Sequence, residues 1–348
     1  MPSDIVYLTA LAGTCGPFFK LLGVRNSEGF IRFVQQIAGP KLRVAGDHRV
    51  LDAKEYEARG GRLDDALRAA DVQRALVDDR IVCILAVRGG SWFTRILPRI
   101  DFSVLKRRKR PLLLVGFSEM TTLLNIAATS RNTYSLYDCG PAFLVYGMVR
   151  HASTVLQSRS ARANPRKWMR ARLREKVQDY LEDVLDILHV GTTRRRAVAK
   201  LVRGKLPAAS SATFVGGTLS VMFTLLGTPY QSHIAPQGRW LVLEDINEQP
   251  TRLDRLLAQL TLADYWSRCK GVLLGDFHAE GRMLTRTVVR ILDHHLPARR
   301  GLPVLVCKSV GHVWPCAPIP LHQPVKLRRD AMGRVHLNWS LPPVCART

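Results

Sequence analysis

Residues 112–124 read LLLVGFSEMTTLL: an apolar run, a Gly-Phe-Ser-Glu turn, and then apolar residues at helical spacing. The run predicts a buried strand and the spacing predicts a helix. Ser118 therefore lies where a strand turns sharply into a helix. Two interpretations of this serine are open. In one, it caps the helix by accepting hydrogen bonds from the first free N–H groups; in the other, the turn presents its hydroxyl as a nucleophile.

Strands and helices alternate on both sides of this stretch. Strands are predicted at 5–11, 81–87 and 112–115, and helices at 27–37 and 63–76, with residues 63, 66, 67, 70 and 75 close to one face of the second helix. This alternation predicts an α/β fold with a doubly wound, mostly parallel sheet. Ligands of such sheets bind beyond the carboxyl ends of the strands, where Ser118 and Gly89-Gly90 both lie.

Composition divides the chain into three parts. Residues 1–147 carry the pattern described above. Residues 148–207 are rich in arginine and lysine and predict a solvated, partly helical connector. Residues 208–348 predict a second α/β unit, which begins with a glycine turn and an apolar helix that ends at Gly227.

Bulk composition limits the class of protein. The chain has 348 residues, 47% hydrophobic and 23% charged, which is typical of globular proteins. No apolar stretch approaches the roughly 18–20 residues that span a bilayer, and the first residues lack the basic region of a signal peptide. We therefore expect a cytoplasmic protein. The net charge of +24 would attract nucleic acid, anionic lipid or acidic substrates, but it does not indicate a fold.

The cysteines and the densest basic run do not predict a binding site. Seven scattered cysteines predict buried thiols rather than a disulfide framework. Cys307, His312 and Cys316 are one ligand short of a closed zinc site, so no metal is predicted. The run 106–110, KRRKR, has no interleaved aromatic residues, so a solvated turn is favoured over a nucleic-acid site.

Three polar residues follow apolar strands: Ser118, Glu244 and His312. A serine, a histidine and a carboxylate are the components of nucleophilic hydrolysis, because the imidazole removes the hydroxyl proton and the carboxylate orients the imidazole. Gly89-Gly90 also follows a strand. Paired glycines let backbone N–H groups approach a ligand, as an oxyanion hole requires; the alternative is a plain tight turn.

Several of these segments, in order from about residue 80 to 322, resemble the LD-carboxypeptidases, a family that includes muramoyltetrapeptide carboxypeptidases and microcin C immunity hydrolases. They are LAVRGGSWFTRILPRIDFSVL, LLLVGFSEMTTLL, FVGGTLSVMFTLLGTPY, WLVLEDINEQPTRLDRLLAQL, GVLLGDF and SVGHVWPCAPIPL. The resemblance implies Ser118 as nucleophile, His312 as base and Glu244 as its orienting carboxylate. It also implies an oxyanion hole formed by the N–H groups of Glu119 and of Gly89 or Gly90.

The same resemblance implies a flavodoxin-like N-terminal domain with a smaller swivelling α/β domain. It implies a homodimer without metal or cofactor that removes a C-terminal D-amino acid from small murein peptides during cell-wall recycling. One alternative is hydrolysis of peptide-nucleotides of the microcin type. The other is an inactive binding protein that uses the basic surface. Departures from the family pattern occur around the expected substrate pocket, at Ser91-Trp92, Phe117, Glu119, Thr218, Thr251 and His322.

Overall fold

The structure, a computed structural model, describes residues 4–53, 64–150, 165–296 and 301–345. The first half contains strands β1 (Asp4–Thr9), β2 (Leu42–Gly46), β3 (Ile81–Ala86), β4 (Leu112–Gly116) and β5 (Thr133–Tyr137). Its helices are α1 (Gly16–Leu22), α2 (Ser27–Ala38), α3 (His48–Leu51), α4 (Asp65–Val77), α5 (Thr121–Ala127) and α6 (Pro141–Arg150). Short 3₁₀ helices cover Thr94–Arg99, Phe102–Arg107 and Ser118–Met120.

The five strands of the first half form a parallel sheet in the order β2-β1-β3-β4-β5. All six residues of β3 and all five of β4 are buried, because helices cover both faces of a sheet of this kind. The predicted α/β class is confirmed. Since the strands are parallel, the segments that follow β3, β4 and β5 meet at one edge, and this edge carries Gly89, Ser118 and the end of β5 at Tyr137.

The second half begins with helix α7 (Pro165–Val190) and strands β6 (Ala197–Arg203) and β7 (Ala209–Thr218). It continues with α8 (Leu219–Phe223), a 3₁₀ helix (Gln231–Ile234), β8 (Trp240–Ile246), α9 (Pro250–Leu262), α10 (Tyr265–Arg268), β9 (Gly271–Ala279) and β10 (Arg282–Met283). The last elements are α11 (Thr285–His295), β11 (Val304–Val306), β12 (Ile319–Leu321), β13 (Pro324–Arg329) and β14 (Arg334–Asn338). Seven of these strands form a closed barrel. Their order is β6-β14-β13-β7-β8-β9-β11, and β11 pairs with β6 to close it.

Strand β12 joins the barrel to the parallel sheet. It is antiparallel to β5, with Ile319 opposite Tyr137, and it pairs with β7 through Leu321 and Phe214. A continuous ladder β4-β5-β12-β7-β8 therefore connects the strand before Ser118 with the strand that contains Glu244.

Two predictions for the middle of the chain are corrected. Gly216 and Gly217 lie at the end of β7 rather than in a turn, and the helix that follows ends at Phe223 instead of Gly227. The predicted connector contains β6, a strand of the barrel, and α7, which buries Leu173, Val177, Tyr180 and other residues against the core. Residues 151–164 of this connector lie outside the described residues.

Buried charge explains two further differences. Helix α4 buries Asp65, Arg68 and Asp71. Of the positions predicted for one face, Ala75 is buried, Ala66 and Ala70 are exposed, and Leu63 lies outside the described residues. In the 106–110 run, Arg108 is buried rather than solvated. Its guanidinium donates to the carbonyl oxygens of Leu76 at 2.9 Å and Ile81 at 2.6 Å. Charged side chains can be buried on α4 and at Arg108 because hydrogen bonds compensate for the lost contact with water.

Cys139 and Cys316 form a disulfide across 177 residues of sequence, which the cysteine count did not predict. The other five cysteines are free and buried, as expected. Within the described ranges, no helix is both long and apolar enough to cross a membrane.

Candidate active site

Ser118 is the first residue of the 3₁₀ helix that follows β4, and its backbone has a φ of 58°. A left-handed conformation is costly for a residue with a side chain and is typical of a strained functional turn. The helix-capping interpretation is wrong. Phe117 occupies the N-cap position of the 3₁₀ helix, and neither this helix nor α5 has a side-chain cap hydrogen bond. The Ser118 hydroxyl is thus not used as a helix cap.

Gly89 lies directly against Ser118. A Cβ atom at Gly89 would lie 2.6 Å from Ser118 Cβ and 3.1 Å from Ser118 Oγ. The next residue, Gly90, has a φ of 149°, and a Cβ there would lie 1.8 Å from the carbonyl oxygen of Ala12. Both glycines are therefore required by close backbone approach, which the alternative of a plain tight turn does not explain.

Substituting Gly89 by alanine is expected to lower kcat by about 100-fold, because the added methyl group must displace Ser118 and a shift of about 1 Å can cost that much. Gly16→Ala is the matched control, since a Cβ at Gly16 meets nothing within 4 Å. Steady-state kinetics and circular dichroism of both variants test this. Equal activity of the two variants would contradict the predicted proximity effect.

Glu244 and His312 form a buried pair. His312 Nδ1 lies 2.7 Å from Glu244 Oε2, and the backbone N–H of His312 donates to the same oxygen at 3.2 Å. Gly311, which precedes the histidine, has a φ of 105°, and a Cβ there would lie 2.5 Å from Glu244 Oε2. Only glycine at this position lets the loop approach the carboxylate so closely.

Two further residues hold the other oxygen of Glu244: Thr218, which the sequence placed near the substrate pocket without a role, and Tyr137, which the sequence did not indicate. Thr218 Oγ1 donates to Glu244 Oε1 at 2.6 Å, and the hydroxyl of Tyr137 donates to the same oxygen through a short hydrogen bond. In the pairing of β4 with β5, Tyr137 lies opposite Gly116, two residues before Ser118. Tyr137 therefore connects the end of the nucleophile strand with the carboxylate. Its position at the end of β5, beside β4, is the one signal that could have indicated it.

The pKa shifts of Glu244 and His312 are those expected when an ionised carboxylate orients an imidazole. Burial by itself would raise the pKa of Glu244, but the charge and the hydrogen bond of His312 outweigh it and lower this pKa. Burial would lower the pKa of His312, yet the Glu244 carboxylate reverses this effect and raises it. Asp245 differs from its neighbour: burial and repulsion by Glu244 raise its pKa to about 7. Hence Glu244 is the carboxylate held ionised beside His312.

Aromatic side chains bring His312 next to the serine turn. The imidazole centroid lies 4.9 Å from that of Phe117, the residue before Ser118, and 5.5 Å from that of Phe143. Among the hydrogen bonds of the described residues, none joins the Ser118 and His312 side chains directly. Such bonds are often long in a ligand-free enzyme and shorten when substrate binds.

The side chain of Glu119 links the glycine loop to the serine turn. Its Oε2 accepts a hydrogen bond from the Phe93 backbone N–H at 3.1 Å, and burial raises its pKa. Glu119 is one of the departures from the family pattern, and this hydrogen bond accommodates its side chain in the site.

The possible metal ligands are separated in the structure. Cys316 is bonded to Cys139, so its sulfur is not available to a site with Cys307 and His312. In the part of the chain that the structure describes, the single cluster of potential ligands is Asp138, Cys139 and Cys316, two of which form the disulfide.

Comparison with known proteins gives the class of the molecule. The profile of the LD-carboxypeptidase N-terminal domain matches residues 14–138, and that of the C-terminal domain matches residues 211–327. The chain is thus a peptidase with an α/β fold. It belongs to the LD-carboxypeptidase family, as the motifs implied.

Curated relatives and solved structures agree with this. A probable murein peptide carboxypeptidase of Bacillus subtilis is 27% identical over 264 residues, covering 74% of this chain and 72% of the relative. The murein tetrapeptide carboxypeptidase of Pseudomonas aeruginosa is 26% identical over 260 residues, covering 71% and 74%. The structure of the microcin C7 self-immunity protein superposes with a TM-score of 0.68 at 16% identity, over 98% of both chains, which shows a shared fold.

Proposed function

We propose that this protein is a serine-type LD-carboxypeptidase that hydrolyses the amide bond to a C-terminal D-amino acid, converting murein tetrapeptide to tripeptide in cell-wall recycling. One observation carries the proposal: the buried Glu244–His312 hydrogen bond of 2.7 Å lies beside a serine in a strained turn. The names of the two curated relatives support a murein peptide as substrate.

In the proposed mechanism, Glu244 accepts a hydrogen bond from the Nδ1–H of His312 and so fixes the tautomer in which Nε2 is unprotonated and can act as a base. His312 Nε2 takes the proton of Ser118 Oγ as the oxygen attacks the carbonyl carbon of the scissile amide. The tetrahedral intermediate collapses to an acyl-enzyme, and the D-amino acid leaves with the proton from His312. Water, deprotonated by His312, then releases the shortened peptide and restores Ser118.

The proposed oxyanion hole consists of the backbone N–H groups of Glu119 and of Gly89 or Gly90. Within the described residues, these three N–H groups have no hydrogen-bond acceptor. Unpaired donors at a strained serine turn support the proposal, because an oxyanion hole needs donors that are free before the charge develops.

The direct test is incubation of the purified protein with muramoyl-L-Ala-D-Glu-diaminopimelate-D-Ala and mass spectrometry of the products. We expect loss of one D-alanine and no other cleavage. If the L,L-peptide that differs only in its terminal residue is cleaved equally fast, the proposed LD-specificity is wrong. If neither peptide is cleaved and DNA binds with a steep salt dependence, the inactive binding protein is the better interpretation.

A second candidate function is hydrolysis of peptide-nucleotides. The net charge of +24 favours it, because an anionic substrate would be attracted to a basic protein. A peptidyl adenylate assayed beside the tetrapeptide separates the two candidates by their kcat/KM values.

Trp92 is proposed to contact the substrate. Trp92 lies two residues after Gly90, its φ is 73°, the residue is 36% exposed, and the Arg95 guanidinium lies 5.4 Å from the ring centroid. A bulky residue in this conformation is strained, and the adjacent loop is held by the Glu119 bond to Phe93. The strain and the exposure together favour a binding role over a packing role.

Trp92→Gly is expected to raise KM by about tenfold, equivalent to about 1.4 kcal/mol, with kcat unchanged. The melting temperature should not fall, because glycine adopts a positive φ without strain. Trp92→Phe should retain most of the affinity. Steady-state kinetics and calorimetry measure both effects, and an unchanged KM in Trp92→Gly would exclude Trp92 from the substrate site.

Architecture and assembly complete the proposal. The strand order β2-β1-β3-β4-β5 supports a flavodoxin-like N-terminal domain within residues 1–147. The closed barrel supports a smaller C-terminal domain of the swivelling α/β type within 208–348, and the pairing of β6 extends that domain into the predicted connector. A homodimeric state without a metal or a cofactor is proposed from the family resemblance, and a cytoplasmic location is proposed from the composition of the chain. Size-exclusion chromatography with light scattering tests the dimer.

A further inference from the structure

A groove of about 1010 Å³ lies on the outer face of the barrel, between β6 and α11. None of the predicted catalytic residues lines it. Alternation along β6 buries Ala197 and Ala199 in the barrel and points Val198, Lys200 and Val202 outward into the groove. On the opposite wall, Arg286 and Arg290 are one helical turn apart on α11, with Val289 between them.

The floor of this groove is unusually apolar for a surface. Val198 and Val202 are each 40% exposed, and Met283, which also lines the groove, is 62% exposed. Large hydrophobic side chains with this exposure are few among the described residues, and three of them line this one groove. Clustered exposed apolar residues with a polar rim are typical of a binding site rather than of ordinary surface.

The charged residues that line the groove are all basic. Six cations line the groove and no carboxylate does: Arg196, Lys200, Arg286, Arg290, Lys308 and Arg334. Arg334 is paired with Asp330 at 2.8 Å. Within the ranges that the structure describes, the other five make no ion pair. Five uncompensated cations around a concave apolar floor give a positive potential, which is relieved when an anion binds.

We propose that this groove binds an amphipathic anion: a single molecule with an apolar chain on the valine floor and a phosphate or carboxylate head between Arg286 and Arg290. Other occupants fit less well. The described lining has no aromatic residue on which nucleic-acid bases could stack. A second copy of the chain would have to place an acidic patch against these cations, whereas the chain carries 28 Asp and Glu against 52 Lys and Arg. A flat bilayer would leave the concave floor uncovered, so we commit to the monomeric amphiphile.

The test is isothermal titration calorimetry of the full chain with dodecyl phosphate below its critical micelle concentration. We expect saturable binding of one equivalent, which dodecyl maltoside, a neutral amphiphile, does not reproduce. Arg286→Glu/Arg290→Glu should weaken the binding at least about tenfold. Val198→Thr/Val202→Thr keeps both β-branched shapes but makes the floor polar, and it should weaken binding by a smaller factor.

Arg25→Glu/Arg43→Glu is the control for net charge, because it changes the charge equally at two exposed arginines far from the groove in sequence. It should bind dodecyl phosphate like the wild type. If Arg286→Glu/Arg290→Glu and this control weaken binding equally, the proposal is overturned, since binding would then follow total charge. No saturable binding by the wild type, or binding to phosphatidylglycerol vesicles alone, would also overturn it. D-alanine release by the groove variants should be unchanged, so this test is independent of the proposed catalytic function.

Discussion

Ser118→Ala is expected to lower kcat for D-alanine release by at least about four orders of magnitude. The substitution removes the only atom proposed to bond covalently to the substrate, so the acyl-enzyme cannot form. The fold should be unaffected, because the Ser118 hydroxyl makes no cap hydrogen bond and the strained backbone is set by the turn itself. Mass spectrometry of the products and circular dichroism of the variant measure both effects.

Ser103→Ala is the matched control, because this serine is exposed on a 3₁₀ helix of the same domain. It should retain wild-type activity. If Ser118→Ala still releases D-alanine at more than a hundredth of the wild-type rate, Ser118 is not the nucleophile.

Glu244→Gln is expected to lower kcat by about 10³- to 10⁴-fold, the loss seen when an orienting carboxylate becomes an amide. It should also change the pH dependence. The Glu244 carboxylate raises the pKa of His312, and His312 must be neutral to act as a base. Removing the negative charge lowers that pKa, so the acid limb of the kcat/KM profile moves to lower pH. Activity profiles from pH 4 to 9 test this shift.

Tyr137→Phe separates the charge of Glu244 from its hydrogen bonds. This variant keeps the carboxylate ionised and removes one donor to Oε1, so we expect a loss of about tenfold and a much smaller displacement of the acid limb. An acid limb that stays in place in Glu244→Gln would mean that Glu244 does not control the protonation of His312.

The parts of the fold that follow from local pattern were predictable. The strand before Ser118 and helix α2 have strong apolar periodicity, and each was predicted to within one or two residues. Helix α4 shows the limit. Its buried face carries Asp65, Arg68 and Asp71, and these are buried because partners elsewhere satisfy them: the Tyr7 hydroxyl bonds Asp71, and Arg68 donates to the Leu11 carbonyl at 2.6 Å. Apolar spacing cannot reveal a face that depends on tertiary hydrogen bonds.

The site residues that lie in sequence motifs were predictable. Ser118, Glu244 and His312 came from strand ends and family order, and the structure brings Glu244 into direct contact with His312. Tyr137 was missed because its hydrogen bond to Glu244 joins β5 to β8, strands that are distant in sequence. The Cys139–Cys316 bond was missed for a similar reason, since a count of cysteines contains no distances.

Strand β12 makes the two halves of the molecule thermodynamically dependent on each other. It has three residues, yet it hydrogen-bonds β5 on one side and β7 on the other. If the barrel unfolded alone, β5 would lose its neighbour and leave an unpaired edge beside the buried Leu136. Exposing that edge costs free energy that independent domains would not incur. The chain should accordingly melt as one cooperative unit, and the catalytic geometry should persist until the whole molecule unfolds.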